Sequence, residues 1–287
     1  MSDTGDVEVR IASLHVHPVK SCAGIAVDEA LLIETGLEFD RAWMLVDERG
    51  IFVSQRDLPR MALIQPTLKH VDMVLRAPGM LALHVALDAV EAPVQATVWN
   101  DSVKAYDMGD LAAQWFSDFL GRKLRLVRFD PEQRRLADRR WTGPLEAEAA
   151  FADAFPLLVA SSAGLAELNR RLAAAGHAPV SMQRFRPNLV LDGLDANGED
   201  HLDEIVFGAP EGPVRLKLVK PCARCPIPDV DPATGERGHA VGDALAAYRA
   251  DARLDGAITF GMNAVIVEGV EATLHTGMVG QATFAFA

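Results

Sequence analysis

The first hundred residues consist mainly of short runs in which apolar and polar residues alternate. These runs occupy residues 7–16, 25–34, 42–47, 73–75 and 81–87. Alternation with period two places successive side chains on opposite faces of a strand. Gly36, Glu48-Arg49-Gly50 and Pro78-Gly79 separate the runs and have the composition of turns. Many short strands at close spacing predict an antiparallel barrel or sandwich.

Helical segments alternate with strands in the rest of the chain. The segment 109–121 ends in a glycine and carries five apolar side chains at helical spacing, Leu111, Trp115, Phe116, Phe119 and Leu120. Ser161 or Ser162 is expected to cap a second helix that runs to about Ala175. A third helix is expected over residues 242–252.

Further strand signals give the second part of the chain its β character. They lie at residues 124–129, 157–160, 189–191, 204–208, 214–219 and from residue 258 onward. We therefore predict a mostly β (α+β) fold in two units. Residues 1–107 would form a β-barrel-like unit, and residues 108–287 a second β-rich unit with a few surrounding helices.

Composition and charge limit the partners of such a protein. A net charge of −12 over 287 residues argues against a general nucleic-acid or membrane-surface binder, because phosphate-rich partners need a basic face. No window approaches the roughly 18 consecutive apolar residues that a membrane span needs. The polar start, residues 1–7, lacks the apolar core of a signal peptide. Three cysteines favour a reducing compartment, so we expect a cytoplasmic protein.

Two thiols follow the strand signal at residues 214–219, in the sequence Lys220-Pro221-Cys222-Ala223-Arg224-Cys225-Pro226. Pro221 is expected to end the strand because it has no N–H for a ladder. The prolines that follow stiffen the loop. Two thiols with a guanidinium between them are therefore presented where a strand ends, which favours chemistry over packing.

The Cys222-x-x-Cys225 spacing is compatible with several kinds of site. A zinc half-site would need two more ligands, and Cys22 is far away in sequence. A thioredoxin-type dithiol normally begins a helix, whereas proline-rich sequence follows here. One thiolate on a soft metal centre, favoured electrostatically by Arg224 and Lys220, is a third possibility. Two buried structural thiols are a fourth.

Cationic side chains also stand at predicted strand ends. Lys20 and Ser21, close to Gly24, suit a phosphate or another oxyanion. Arg41 stands beside Asp40, directly before the strand signal at residues 42–47. The simpler alternatives are an exposed lysine in a turn and a structural ion pair.

In the second half of the chain, charged and polar side chains again stand next to predicted strands. Arg186 and Asn188 flank a proline directly before a strand, and they could clamp an anion and read polar edges. Asp153 lies between aromatic residues before another strand. Residues 122–140 hold eight Lys or Arg, which is typical of a solvated face, although one arginine could enter a site.

Four motifs in this order resemble the MOSC family with its N-terminal β-barrel domain. They are Pro-Val-Lys-Ser-Cys at 18–22, Asp-Arg-x-Trp at 40–43, Phe-Arg-Pro-Asn at 185–188 and Lys-Pro-Cys-x-Arg-Cys at 220–225. Within that family the chain resembles the amidoxime-reducing branch, which has mitochondrial and bacterial members. The resemblance implies that the second unit is a MOSC β-barrel core that binds the molybdenum cofactor, Mo-molybdopterin.

The resemblance also implies roles for individual residues. Cys225 would be the thiolate ligand of molybdenum and, with Asp153 near the metal, a catalytic residue. The cofactor-binding residues would be Lys20, Ser21, Arg41 and Arg186 at the phosphate end of the pterin, with Asn188 nearby. Pyridoxal phosphate binding is a further description associated with MOSC proteins.

The implied activity is reduction of N-hydroxylated compounds, namely amidoximes, hydroxylamines and N-hydroxy bases. The chain reaches Ala287 without the cysteines of a ferredoxin domain, so the electrons are expected from a separate protein, a ferredoxin or a b-type cytochrome with its reductase. The alternatives are a molybdenum-cofactor or sulfur (persulfide) carrier without reductase turnover, and a redox dithiol protein.

One departure from the family pattern affects the substrate side. Members commonly follow the cysteine with an apolar residue and then Thr-Thr, whereas this chain has Pro226-Ile227-Pro228-Asp229. The substrate class is therefore the least constrained part of the prediction.

Overall fold

A computed structural model describes residues 5–89 and 92–285 of the chain. Residues 1–4, part of the polar start, lie outside the described residues. The strands are β1 (Val7–Val16), β2 (Ile25–Val27), β3 (Glu29–Ile33), β4 (Gly36–Leu37), β5 (Trp43–Val46), β6 (Gln65–Leu68), β7 (Asp72–Arg76), β8 (Leu83–Ala86), β9 (Pro93–Val98), β10 (Asp101–Asp107), β11 (Arg125–Phe129), β12 (Leu157–Ser161), β13 (Leu189–Asp192), β14 (Leu202–Ala209), β15 (Gly212–Ala223), β16 (Ala250–Asp251), β17 (Ala257–Glu268), β18 (Thr273–His275) and β19 (Val279–Phe284). The α-helices are α1 (Gly109–Leu120), α2 (Arg139–Thr142), α3 (Ser162–Ala174) and α4 (Ala240–Ala246). Short 3-10 helices lie at Pro59–Leu63, Met182–Arg184, Gly198–His201, Ile227–Asp229 and Ala252–Leu254. The predicted mostly β fold with a few helices is confirmed.

Seven strands close into a barrel. Their order is β12-β13-β1-β19-β14-β15-β17, and β17 pairs with β12 to complete the ring. The pairing between β12 and β13 is parallel, and the others are antiparallel. Closure leaves these strands no free edge. Apolar side chains fill the interior, among them Ile11, Leu14, Leu189, Phe207, Leu216 and Ala264.

The first strand of the chain belongs to this barrel. β1 pairs with β13 and β19, which come from the second half of the sequence. β2 pairs with β1, and the other N-terminal strands form smaller sheets, β18-β3-β4, β6-β7-β8 and β5-β11-β10-β9. Helix α1 packs into the same apolar cluster as Met61 and Leu75. Packing therefore crosses residue 107 in both directions, and the boundary between residues 107 and 108 stays a prediction.

Two predicted helices have the expected ends. Gly121 follows α1 with φ 68°, and its N–H donates to the carbonyl of Ser117. The Ser161 hydroxyl accepts from the N–H of Gly164 and caps α3. The prediction for Leu111 was wrong: its side chain is 75% exposed. Ala112 is buried instead. Successive residues of a helix point in directions about 100° apart, so Leu111 lies outside the apolar face that Ala112 joins.

Two predictions for the second half are corrected. α4 ends at Ala246, because residues 250–251 pair with β17 instead of continuing the helix. Strand β15 continues past Pro221 to Ala223. The ladder between β15 and β17 shifts register on both sides of Pro221. Such irregularities leave backbone groups unpaired, and a residue without an N–H is tolerated there.

Candidate functional site

The backbone joins two N-terminal motifs at the end of β1. The N–H of Lys20 donates to the carbonyl of Trp43 at 2.7 Å, and the N–H of Trp43 donates to the carbonyl of Pro18 at 3.0 Å. The N–H of Arg41 donates to the carbonyl of His17 at 2.8 Å. These bonds fix the Lys20 and Arg41 segments side by side, although the sequence offered only two separate strand ends.

All seven residues that the sequence analysis named for the site line one cleft. The cleft and its solvent-filled mouth together have a volume of about 780 Å³. The residues brought together are Lys20, Ser21, Arg41, Asp153, Arg186, Asn188 and Cys225. A cofactor of the predicted kind therefore has a single place to bind. The role of each residue stays a prediction.

Lys20 and Asp153 form an ion pair at the wall of the cleft. The Lys20 side chain is buried, and its Nζ donates to the carbonyl of Phe151 at 2.7 Å and to Oδ1 of Asp153 at 2.5 Å. Burial lowers the pKa of Lys20 from its usual value, and the charge of Asp153 opposes this change. Desolvation acts to raise the pKa of Asp153, but the Lys20 charge and hydrogen bond outweigh it and hold that pKa well below its usual value.

Arg41 is held from three sides. Its Nη1 donates to Oδ2 of Asp40 and, at 3.0 Å, to Oδ1 of Asn188, while Nη2 donates to the carbonyl of Arg186 at 2.8 Å. Burial acts to raise the pKa of Asp40, but Arg41 and His17 together outweigh it and lower that pKa to about 2. Asn188 also accepts from the N–H of Leu158 at 3.1 Å. The amide of Asn188 therefore positions Arg41 within the cleft wall.

Three residues of the site have left-handed backbone conformations. The φ angles are 68° at Ser21, 50° at Arg41 and 58° at Arg186. Side-chain-bearing residues other than Asn and Asp seldom adopt this region. Such strain concentrates at functional sites, where surrounding structure holds it in place.

Two guanidinium groups at the cleft have buried nitrogens without a hydrogen-bond partner among the described residues. They are Nη2 of Arg186 and Nε of Arg224. A buried donor left unpaired is costly. The cleft is lined by five cationic side chains, Lys20, Arg41, Arg56, Arg186 and Arg224, and by the one carboxylate of Asp153. This donor set fits a phosphorylated organic group, although the whole chain is acidic.

The thiols of Cys222 and Cys225 line the same cleft, and all three cysteines are free. Nη1 of Arg224 lies 3.0 Å from Sγ of Cys222. Cys22 is buried in the core, and burial raises the pKa of its thiol to about 12, which disfavours the thiolate form. No cluster of three or more His, Cys, Asp or Glu that could hold a metal occurs within the described ranges. A metal beside Cys225 would therefore need ligands from a bound group such as a pterin dithiolene.

The residues that depart from the family pattern connect the thiol loop to helix α4. Oδ1 of Asp229 accepts from the N–H of Val241 at 3.1 Å and from that of Gly242 at 3.0 Å. Ile227 lines the cleft. Asp229 thus has a structural role as a helix cap, and the loop after Cys225 is anchored at its far end.

Three residues of the site lay outside the sequence-based assignment. Arg135 belongs to the basic run, but it is buried and donates to the carbonyls of Ala150, Ala152 and Asp153. Arg56 lines the cleft, and Nε1 of Trp99 donates to Oδ1 of Asp153 at 3.2 Å. The basic run indicated that one arginine could enter the site, whereas nothing in the sequence pointed to Arg56 or Trp99.

The described residues include no helix long and apolar enough to cross a membrane.

Comparison with known families assigns the chain. The MOSC N-terminal beta barrel domain model matches residues 8–123, and the MOSC domain model matches residues 146–279. The chain belongs to the MOSC family. The two matches cover most of its length and include both halves of the cleft.

Three relatives of this MOSC protein have names that refer to amidoximes or to the molybdenum cofactor. Mitochondrial amidoxime-reducing component 1 of Mus musculus is 36% identical over 234 residues, which cover 78% of this chain and 66% of the relative. Mitochondrial amidoxime reducing component 2 of Homo sapiens is 34% identical, with coverage of 78% and 68%. Molybdenum cofactor sulfurase of Homo sapiens is 31% identical, over 88% of this chain but 29% of its own length. The chain is therefore a MOSC protein related to the molybdenum cofactor, and it spans about two thirds of the length of the amidoxime-reducing relatives.

Among solved structures, the YUAD protein from Bacillus subtilis aligns with 97% of the chain at 10% identity and a TM-score of 0.42. This likeness is too weak to support any conclusion.

Proposed function

We propose that this MOSC protein is a molybdenum-cofactor-dependent oxidoreductase that reduces N-hydroxylated compounds, with electrons from a separate redox protein. The observation that carries the proposal is the cleft itself. Its walls present buried cations with unpaired donors, including Arg186 and Arg224, together with the free thiol of Cys225. One small anionic cofactor with a soft metal would satisfy both groups.

The chain's own residues would divide the binding of this cofactor. Lys20, Ser21, Arg41 and Arg186 would hold its phosphate end, and Asn188 would keep Arg41 in position through the bond from Nη1. Cys225 would be the thiolate ligand of the metal. Arginine suits the phosphate because its planar fork can donate two parallel hydrogen bonds.

When bound, the cofactor supplies the two-electron chemistry that removes the substrate oxygen. Reduction of an N–OH group to N–H also consumes protons and releases water. Nζ of Lys20 holds its protons between the carbonyl of Phe151 and Oδ1 of Asp153. These bonds fix the Asp153 carboxylate at the cleft wall, where it would face the substrate.

The test is purification from a host that makes the molybdenum cofactor, followed by measurement of molybdenum, pterin and benzamidoxime reduction with a reduced viologen dye. We expect stoichiometric metal and pterin, and reduction of benzamidoxime. Cys225→Ala should lose metal and activity, whereas Cys222→Ser, the matched control in the same cleft, should keep the metal. Full activity in Cys225→Ala would contradict the ligand assignment.

A second candidate function is a molybdenum-cofactor or sulfur carrier that does not reduce a substrate. The observation in its favour is the Cys222 thiol, which contacts Arg224 in the same cleft. Some relatives are named molybdenum cofactor sulfurase. Bound cofactor without reduction of any N-hydroxylated compound, together with a persulfide on Cys222 or Cys225 in the intact mass, would establish this alternative.

The cytoplasm is the compartment we propose, since the three cysteines are free. A ferredoxin or a b-type cytochrome with its reductase is the proposed donor. Turnover with such a pair in place of the dye is the measurement that checks it.

A further inference from the structure

Arg56 is a cationic residue of the cleft that is not among the proposed cofactor-binding residues. Its Cζ lies 4.3 Å from the ring centroid of Trp99 and 5.8 Å from that of Phe52, and its Nε donates to Oγ of Ser54 at 3.2 Å. Its Nη1 and Nη2 have no hydrogen-bond partner within the described part of the chain. The guanidinium is thus fixed in position while its outer nitrogens remain available to a ligand in the cleft.

Trp99 supports Arg56 from an unfavourable backbone conformation. It is the first of two residues that link the paired residues Val98 and Asp101, and its φ is 56°. Glycine is favoured at this position of a two-residue hairpin loop. The indole is nevertheless 44% exposed, so burial does not explain its presence. Strain of this kind beside a cleft indicates a functional constraint.

Asp153 adds an acceptor next to this pair. Its Oδ1 accepts from both Nζ of Lys20 and Nε1 of Trp99. Its Oδ2 has no partner among residues 5–89 and 92–285, and the side chain is 66% exposed. Asp153 therefore faces the cleft with one oxygen bound and one free.

We propose that Arg56, supported by Trp99, and Oδ2 of Asp153 form a subsite for the flat, conjugated part of an N-hydroxylated substrate. A guanidinium stacks on planar π systems, and a carboxylate oxygen accepts an N–H. The inference rests on the proposed reductase function and narrows it. Amidoximes and N-hydroxy bases attached to a conjugated ring meet both requirements, whereas saturated hydroxylamines can offer an N–H but no planar π system.

The test compares two ligands that share a head group. Benzamidoxime has a planar ring, and cyclohexanecarboxamidoxime carries the same amidoxime on a saturated ring. Calorimetry on the cofactor-loaded protein without an electron donor measures binding in the absence of turnover. We expect wild type to prefer benzamidoxime roughly tenfold, the ratio that a stacking energy of about 1.4 kcal/mol gives.

Arg56→Lys keeps the charge and removes the plane, so the preference should fall to near unity with molybdenum and pterin contents unchanged. Arg60→Lys is the matched control, because the Arg60 guanidinium also lies over an aromatic ring, that of Phe119, but Arg60 does not line the cleft. The preference for benzamidoxime should persist in this variant. Trp99→Gly removes the ring and suits the φ angle, so it should fold with a Tm near that of wild type and lose the preference.

Two results would overturn the subsite. One is loss of pterin in Arg56→Lys, which would make Arg56 a cofactor anchor. The other is an equal loss of affinity for both ligands, which would make its effect nonspecific. A different result would contradict the proposed reductase function: wild type would reduce neither compound with reduced viologen, whatever the ratio of its affinities for the two compounds.

Discussion

Lys20 and Asp153 are 133 residues apart in the sequence, and Nζ of one lies 2.5 Å from Oδ1 of the other. The Lys20 side chain is 7% exposed and that of Asp153 is 66% exposed. The pair therefore connects the interior, at the end of β1, with the open face of the cleft. The positive charge of Lys20 keeps the Asp153 carboxyl group, which a ligand in the cleft would contact, in its ionised form.

Lys20→Met should raise the pKa of Asp153 toward its usual value. The Lys20 charge and hydrogen bond are what overcome desolvation and hold that pKa low in the wild type. An NMR titration of the Asp153 carboxyl carbon measures the change. Lys20→Arg keeps the charge and should leave most of the shift in place, and an unchanged pKa in Lys20→Met would show that another group controls Asp153.

His17 should make the protein less stable below pH 6.5. Burial, followed by the charges of Arg41 and Arg186, holds the pKa of His17 well below its usual value of 6.5. The unfolded chain binds a proton there as the pH falls through 6.5 and the folded chain does not, so the stabilisation present above pH 6.5 is lost on acidification.

Urea unfolding between pH 7.5 and 5.5 checks this. Relative to His17→Gln, wild type should lose stability at a slope approaching about 1.4 kcal/mol per pH unit below pH 6.5. The exposed His177→Gln variant should follow wild type. Parallel profiles for wild type and His17→Gln would contradict the prediction.

Arg135→Met should destabilise the fold by about 3 kcal/mol. The buried guanidinium donates to three carbonyls of the loop that carries Asp153 and to Oδ2 of Asp101 at 2.8 Å. Removing it leaves several acceptors unpaired at once. Arg134 is the matched control, since its ion pairs with glutamates are exposed, and Arg134→Met should cost less than about 1 kcal/mol. Chemical denaturation of both variants decides, and equal losses would show that the loop does not depend on Arg135.

Gly261→Ala should cost more than Gly256→Ala. Both glycines have positive φ, 78° and 81°. A Cβ at Gly261 would lie 2.6 Å from the carbonyl oxygen of Val159 in the barrel wall, whereas one at Gly256 would meet nothing within 4 Å. Gly256→Ala should therefore cost about 1 kcal/mol for conformation alone. The extra loss in Gly261→Ala, measured by thermal unfolding, gives the cost of the close approach between β17 and β12, and equal losses would mean that the wall relaxes freely.

Local signals predicted the elements that depend on nearby residues. The α1 helix and its glycine end follow from spacing and from the lack of a Cβ at Gly121, and the start of α3 follows from the hydroxyl of Ser161. The prediction failed at Pro221 and at the end of α4. In both places pairing with β17 decides the local structure. At Pro221 that strand is about forty residues away, and after α4 residues 250–251 pair with residues 257–258, so the pattern within the segment itself does not contain the information.

The sequence by itself determined the β-rich class, the thiol motif, and the residue types at the strand ends that make an anion-binding, metal-compatible site chemically possible. The tertiary structure decided which of those residues meet. Closure of the barrel places β1 beside β13 and β13 beside β12, so that Lys20, Asn188 and Asp153 share one cleft. Tertiary packing also adds Arg56 to the cleft lining, sets Trp99 against Arg56 and buries Arg135, because side chains from separate segments become neighbours only through long-range packing.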